Sequence, residues 1–473
     1  MNTPPHITTS LRGWLDNASR ERPRWLCDAT TRVCLGDLET GTSLGGRAAA
    51  LAGRSVLVAT RSQRATALAL IELDGIASRL IVCTPDLARE HLQTIAEKAA
   101  VNAAVVDYRD YRDYRDYRDR TAGDDGLTIP VRVPCDGTII PTRSAAPAAR
   151  RATEWVLLTS GTTGAPKMVV HNVASLTAPI GDAALGQREG FVWGTFYDIR
   201  RYGGLQIFFR ALLGRGSLLL SSAEEPLAGY LERLGAHGAT HISGTPSHWR
   251  RVLMSANARA IAPRYIRLSG EIADQAVLNA LHAFYPQASI GHAFASTEAG
   301  VGFEVNDGRE GFPASVIGTN ADVEVRIDDG SLRLRSARNA NRYLGEAQER
   351  LGSDDGFIDT GDIVERRGDR YYFLGRRSGV INVGGLKVYP EEVEAAINRH
   401  PAVRMSRVRP RRSPITGALV AADVVLNRTA EPIFTSEILQ ICRDTLPPHK
   451  IPTTIRFVPA LEIAAAGKLA RHA

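Results

Sequence analysis

The chain has 473 residues, 44% hydrophobic and 23% charged, with 58 basic against 51 acidic residues and a formal net charge of +7. These values suit a folded chain of about three domains or subdomains, and the basic residues are too evenly mixed with acidic ones to mark a nucleic-acid partner. No stretch approaches eighteen uninterrupted apolar residues, and the opening MNTPPHITTS lacks a basic region followed by an apolar run, so a cytoplasmic enzyme without a membrane span is expected.

From Ser55 short apolar runs alternate with helical patterns: SVLVAT reads as a strand, RATALALIELDGIA as a helix, RLIVC as a strand, LAREHLQTIAEKA as a helix and NAAVV as a strand. That alternation predicts an α/β architecture with a parallel sheet. The tract DYRDYRDYRDYRDR, Asp107 to Arg120, has a three-residue period that fits neither strand nor ordinary helix, and reads as a solvated surface insertion. Cysteines 27, 34, 83, 135 and 442 have neither metal-ligand spacing nor a disulfide framework, which fits a reducing compartment.

Next, TSGTTGAPK joins the apolar runs WVLL and MVV. It is not a Walker loop, because the second glycine would fall at 166, where proline stands. Its physics is similar nonetheless. Gly161 and Gly164 let backbone N–H groups approach phosphate oxygens, Thr159, Ser160, Thr162 and Thr163 add hydroxyl donors, and Lys167 adds charge. This density of donors predicts a polyphosphate.

The character changes near residue 375. RYYFLG reads as a strand, Gly384 and Gly385 as a turn, and Pro390 with Glu391 and Glu392 as a helix start. The expected organisation is a large multi-subdomain N-terminal domain with parallel sheets, residues 1–377, and a small mobile α+β C-terminal domain, residues 378–473. Six arginines within RHPAVRMSRVRPRR form a solvated basic face, or attract the phosphates of a cofactor or an acidic carrier.

Several motifs, in order from about Leu11 to Arg471, resemble those of the adenylate-forming superfamily of acyl- and aryl-CoA ligases, nonribosomal peptide synthetase adenylation domains and luciferases. The resemblance implies that TSGTTGAPK covers the β- and γ-phosphates of ATP and that LSGE brings Gly270 and Glu271 along the adenine. In HAFASTEAG it implies Phe294 against the adenine, Thr297 near the α-phosphate and Glu298 as a Mg²⁺ ligand; phenylalanine and Ala295 stand here for the usual tyrosine and glycine. It implies that Asp362 of FIDTGDIV accepts the ribose hydroxyls, that Arg376 lies near ribose and phosphate, and that Ser378 is the hinge of the small domain. In AAAGKLAR it makes Lys468 the residue that reaches the reacting oxygens, the alternative being a solvated terminal lysine.

The same comparison makes GTFYDIRRYGGLQIFF and residues 294 to 301 the acyl-pocket walls, bringing in Tyr197, Asp198, Tyr202, Gly204, Ala295, Gly300 and Val301. A buried unpaired carboxylate at Asp198 would be costly. Its partner is expected to be Arg200 or Arg201, which makes its role structural, or an amino or hydroxyl group of the substrate. His171, His241 and His292 read as structural histidines. The implied function is ATP- and Mg²⁺-dependent activation of a small carboxylic acid as an acyl-adenylate, then transfer to CoA. Alternatives are the pantetheine of a separate acyl carrier protein, an amine acceptor, an unusual oxyacid in place of the carboxylate, and a non-catalytic nucleotide-binding homologue.

Overall fold

Runs of three or four consecutive aliphatic residues need cover on both faces, which crossover helices supply to a parallel sheet. The computed structural model describes residues 10–16, 23–107, 129–142, 151–159, 166–180, 190–222, 224–320, 322–345, 351–414, 416–427, 431–464 and 467–470. Contacts divide the chain into two units: Met1–Ile242, Ser296–Val301 and Ala337–Ser353 form the first, and Ser243–Ala295, Gly302–Ser336 and Asp354–Ala473 the second.

In the first unit β1 (Trp25–Cys27) and β2 (Arg32–Cys34) pair antiparallel. The expected alternation follows as β3 (Ser55–Ala59), α1 (Gln63–Leu73), β4 (Arg79–Val82), α2 (Arg89–Lys98) and β5 (Ala103–Val106). β3 lies between β4 and β5, and β6 (Arg132–Pro134) and β7 (Glu154–Thr159) extend this parallel sheet on either side. β8 (Lys167–His171) turns back antiparallel on β7. Leu57, Ile81, Val156 and Val170 from four strands pack with Ile95 of α2 in one core. After α3 (Val173–Thr177), β9 (Val192–Thr195) and α4 (Tyr202–Leu213), β10 (Ser217–Leu220) lies parallel between β9 and β1. Asp107 accepts a hydrogen bond from the Arg61 N–H at 2.8 Å; the tyrosine-rich repeat after it lies outside the described residues.

The second unit opens with α5 (Pro246–Met254), β11 (Tyr265–Ser269), α6 (Gln275–Phe284) and β12 (Ser289–Ser296), the two strands parallel. An antiparallel meander follows: β13 (Val323–Asp328), β14 (Ser331–Ser336), β15 (Ile358–Arg367) and β16 (Arg370–Arg376). β17 (Ile381–Val383) and β18 (Leu386–Val388) form a hairpin closed by Gly384 and Gly385, whose φ values of 57° and 86° call for glycine. α7 (Pro390–Ile397) begins with the expected proline and two glutamates. It packs with β19 (Val403–Ser413), β20 (Gly417–Leu426) and α8 (Pro432–Thr445) through Val393, Ile397, Val408, Val424 and Ile438, while β21 (Thr454–Phe457) runs parallel to β20. Among the described residues no helix is long and apolar enough to cross a membrane, and all five cysteines are unpaired.

Candidate active site

The first unit holds the segments that resemble the family's triphosphate motifs. Thr159 and Lys167 face each other as the last register pair of β7 and β8. Ser160, Gly161, Thr162, Thr163 and Gly164 lie outside the described residues. Lys167 projects its ammonium 5.0 Å from the centre of the Tyr343 ring, a cation–π distance.

At the other end of β8, buried His171 fixes the turn that carries Thr297 and Glu298. Its Nε2–H donates to the Thr297 carbonyl at 2.7 Å, which leaves Nδ1 as the acceptor facing the Ser175 hydroxyl at 3.0 Å. The Glu298 carbonyl accepts from Ala340 N–H at 2.8 Å, and the Ser296 hydroxyl accepts from Ala299 N–H at 3.0 Å. Two separate segments and the turn's own Ser296 thus hold it. Gly300 has a φ of 71°, and an added Cβ would lie 2.5 Å from the Arg338 carbonyl. The Arg338 guanidinium in turn donates to the carbonyl of buried Val301 at 2.9 Å.

Of the two partners expected for Asp198, the structure supplies the internal one. Arg200 grips it with both arms of its guanidinium, Nε to Oδ1 at 2.8 Å and Nη2 to Oδ2 at 2.6 Å. The same guanidinium donates to the carbonyls of Thr60 at 2.7 Å and Arg61 at 3.0 Å, anchoring the loop to the sheet. Arg201 goes elsewhere, to Asp86 at 2.6 Å. Tyr197 and Tyr202 are buried beside this pair. Gly204 stands in the first turn of α4, where a Cβ would sit 2.1 Å from the Asp198 carbonyl oxygen, so no larger residue fits there.

The second unit holds the segments that resemble the family's base, ribose and lysine motifs. Phe294 stacks on Phe373 at 5.3 Å with planes 10° apart, and on Phe303 at 5.6 Å, at the end of an aromatic ladder. Ala295, next along β12, is half-buried. Asp362 stands opposite Arg376 in the β15–β16 register, with Arg376 Nε 3.2 Å from its carboxylate. Burial raises the Asp362 carboxyl above its ordinary value, against the pull of Arg376, Lys468 and the Thr360 hydroxyl. Ser378 sits exposed in a short 3₁₀ turn, Arg377–Gly379. The tail returns to this unit: a Cβ on Gly270 would lie 3.3 Å from Lys468 Cε and 4.0 Å from Nζ. Glu271 accepts from the Leu469 N–H at 2.8 Å.

Buried histidines carry a pH signature. Burial pushes His171 down to about 4 and His248 of α5, beside Arg251, also to about 4. A folded-state value below the ordinary 6.5 contributes stability that is present above 6.5 and lost as pH falls toward 4. Urea midpoints are therefore expected to be flat from pH 8 to 7 and to fall steadily between pH 6.5 and 4.5. His171→Gln should flatten the fall; an unchanged slope would show that this ring does not titrate on unfolding.

The family model described as AMP-binding enzyme matches residues 47–340. The chain belongs to the AMP-binding enzyme family. The model for the C-terminal domain of AMP-binding enzymes matches residues 392–468. This AMP-binding enzyme is 25% identical to a 2-succinylbenzoate–CoA ligase of Bacillus licheniformis over 67% of this chain and 68% of that one. It is 29% identical to the ligase of the same name from Salmonella typhimurium over 54% of each chain, so that match spans about half of each. Among solved structures, an anthranilate CoA ligase in complex with anthranoyl-AMP aligns with a TM-score of 0.80 at 19% identity, covering 97% of this chain and 95% of that one. An amide bond synthetase from Marinactinospora thermotolerans aligns with a TM-score of 0.76 at 20% identity, covering 97% and 98%. At these identities the structural likeness speaks for the fold.

Sequence reasoning missed several residues that build this enzyme's site. Arg338 acts from the turn after β14 and gives no motif. Thr245 did leave a signal, since Thr-Pro before an apolar helical pattern marks a helix start, and Thr245 indeed caps α5 with His248 in a capping box.

Proposed function

We propose that the chain activates a carboxylic acid with ATP, releasing pyrophosphate and forming an acyl-adenylate, and then transfers the acyl group to CoA. The observation that carries this reading is the seat of Lys468: it lies against Gly270, and its charge acts on Asp362. A cation delivered by the tail to the segment read as holding base and ribose is what the attack of a carboxylate on the α-phosphorus needs, because that step brings two anions together. The curated relatives named as CoA ligases support a thiol acceptor.

Lys167 and the hydroxyl-rich loop would take the departing pyrophosphate, and Thr297 would stand near the α-phosphate. Among the described residues no three His, Cys, Asp or Glu side chains group to hold a metal by themselves. A single carboxylate at Glu298 fits a Mg²⁺ ion whose other ligands are phosphate oxygens and water, and that ion would neutralise charge on the triphosphate. Residues 378–473 would turn about Ser378 between the two steps, with the Gly384–Gly385 hairpin offering close backbone approach to a pantetheine arm.

Acid-dependent pyrophosphate release over a panel of fatty, aryl and amino acids, each with and without CoA, tests the reading. A thioester product is expected for one acid class. Adenylate that forms and is consumed only by an amine or a carrier protein would reassign the acceptor, and no release with any acid would leave a nucleotide-binding homologue.

Asp362 gives a graded test. Asp362→Asn removes charge from the acceptor of the ribose hydroxyls and is expected to raise KM for ATP about tenfold or more, since hydrogen bonds to a charged group contribute about 1.5–3 kcal/mol. In the wild type, KM for ATP should climb as pH falls, starting above the ordinary aspartate range because burial raises this carboxyl. Asp362→Asn should abolish that climb.

A further inference from the structure

Glu271 belongs to the segment that resembles an adenine wall, yet its carboxylate is occupied by backbone. Oε1 accepts from the Leu469 N–H at 2.8 Å and from the Ser247 hydroxyl at 3.0 Å, and Oε2 accepts from the Ser247 N–H at 2.9 Å. Ser247 stands in the first turn of α5, where unpaired N–H groups and the helix dipole favour an anion. On the other side of Lys468, the Gly467 carbonyl accepts from the Thr245 hydroxyl at 2.6 Å.

The tail fits this seat closely. Gly467 has a φ of 72°, and a Cβ added to it would lie 2.0 Å from Cε1 of His248. The turn is closed on itself by Gly467 N–H to the Ala464 carbonyl at 2.7 Å and Ala464 N–H to the Lys468 carbonyl at 2.8 Å. The residues before Gly467 are three alanines, whose side chains offer no hydrogen bond to order the approach of the lysine. Beyond the tail's own backbone bonds, the side chains that hold it come from Thr245 and Glu271.

We propose that Thr245 and Glu271 are positioning residues that clamp the backbone on either side of Lys468 for the adenylation step, with Glu271 serving the tail and not the base of the nucleotide. The clamp rests on the reading of Lys468 as the adenylation lysine. It acts in the first half-reaction only, because transfer to CoA requires the tail to be withdrawn.

The test uses the full chain with Thr245→Val and Glu271→Gln, and Thr245→Ser as the conservative control that keeps both the hydroxyl and the helix cap. Each of the first two should lower kcat for acid-dependent ATP–pyrophosphate exchange about tenfold, the worth of one hydrogen bond. KM for ATP should stay within about twofold, and so should transfer from supplied acyl-adenylate to CoA; Thr245→Ser should restore exchange. Tryptic cleavage after Lys468, followed by mass, should be faster in both variants than in wild type and in Thr245→Ser. A rise in KM for ATP with kcat unchanged would return Glu271 to the nucleotide, and parallel loss of both half-reactions would make the contacts merely structural. Should wild type support no exchange with any acid, the ligase reading fails separately. The cleavage rates then decide alone: faster cutting of the variants upholds the clamp, and equal cutting overturns it.

Discussion

Lys468→Ala is expected to lower acid-dependent pyrophosphate exchange by roughly a hundred- to a thousandfold while leaving ATP binding within a few-fold of wild type. The magnitude is that of removing one preorganised charge-stabilising donor from a transition state, about 3–4 kcal/mol. Ground-state nucleotide binding loses little because the other residues assigned to the nucleotide, from Lys167 and Thr159 to Phe294 and Asp362, remain. Transfer from supplied acyl-adenylate to CoA should proceed within about twofold of wild type, since that step does not call on the tail. Lys468→Arg should recover little: the guanidinium is a wide planar fork, whereas the seat beside Gly270 holds a slim ammonium stem 3.3 Å from where a Cβ would be. Exchange that survives Lys468→Ala at wild-type rate would remove the lysine from the chemistry altogether.

How far such residues could be read from the sequence depends on whether they act through side chains in local patterns. The alternation from Ser55 to Val106 announced its strands because each buried run is short, aliphatic and bounded by polar turns. Pro390, Glu391 and Glu392 announced a helix start for a reason internal to the helix. The clamp around Lys468 was not legible, because Thr245 and Glu271 recognise peptide groups 222 and 198 residues further along the chain. Backbone targets leave no trace in residue type. Asp198 lay between these cases: a neighbouring arginine was visible as a partner, but only the conformation decides that Arg200 turns inward while Arg201 turns out to Asp86.

That inward turn sets the second large effect. Arg200→Ala is expected to destabilise the first unit by about 3 kcal/mol or more, because it leaves a mostly buried carboxylate without its counter-charge and strips the Thr60 and Arg61 carbonyls of their donor. The Asp198 side chain keeps 19% exposure, which places the cost near the lower end of the range for a broken buried pair. In a thermal melt this corresponds to a loss of roughly 6–12 °C for a unit of this size. Asp198→Asn combined with Arg200→Met removes both charges and should recover a large part of the loss, since the penalty comes from the orphaned partner more than from the missing attraction. Asp198→Asn alone separates architecture from recognition. If the carboxylate serves Arg200, the mutant melts lower but keeps the wild-type ranking of kcat/KM across fatty, aryl and amino acids. A selective loss of acids bearing an amino or hydroxyl group, with the melt unchanged, would assign Asp198 to the substrate after all.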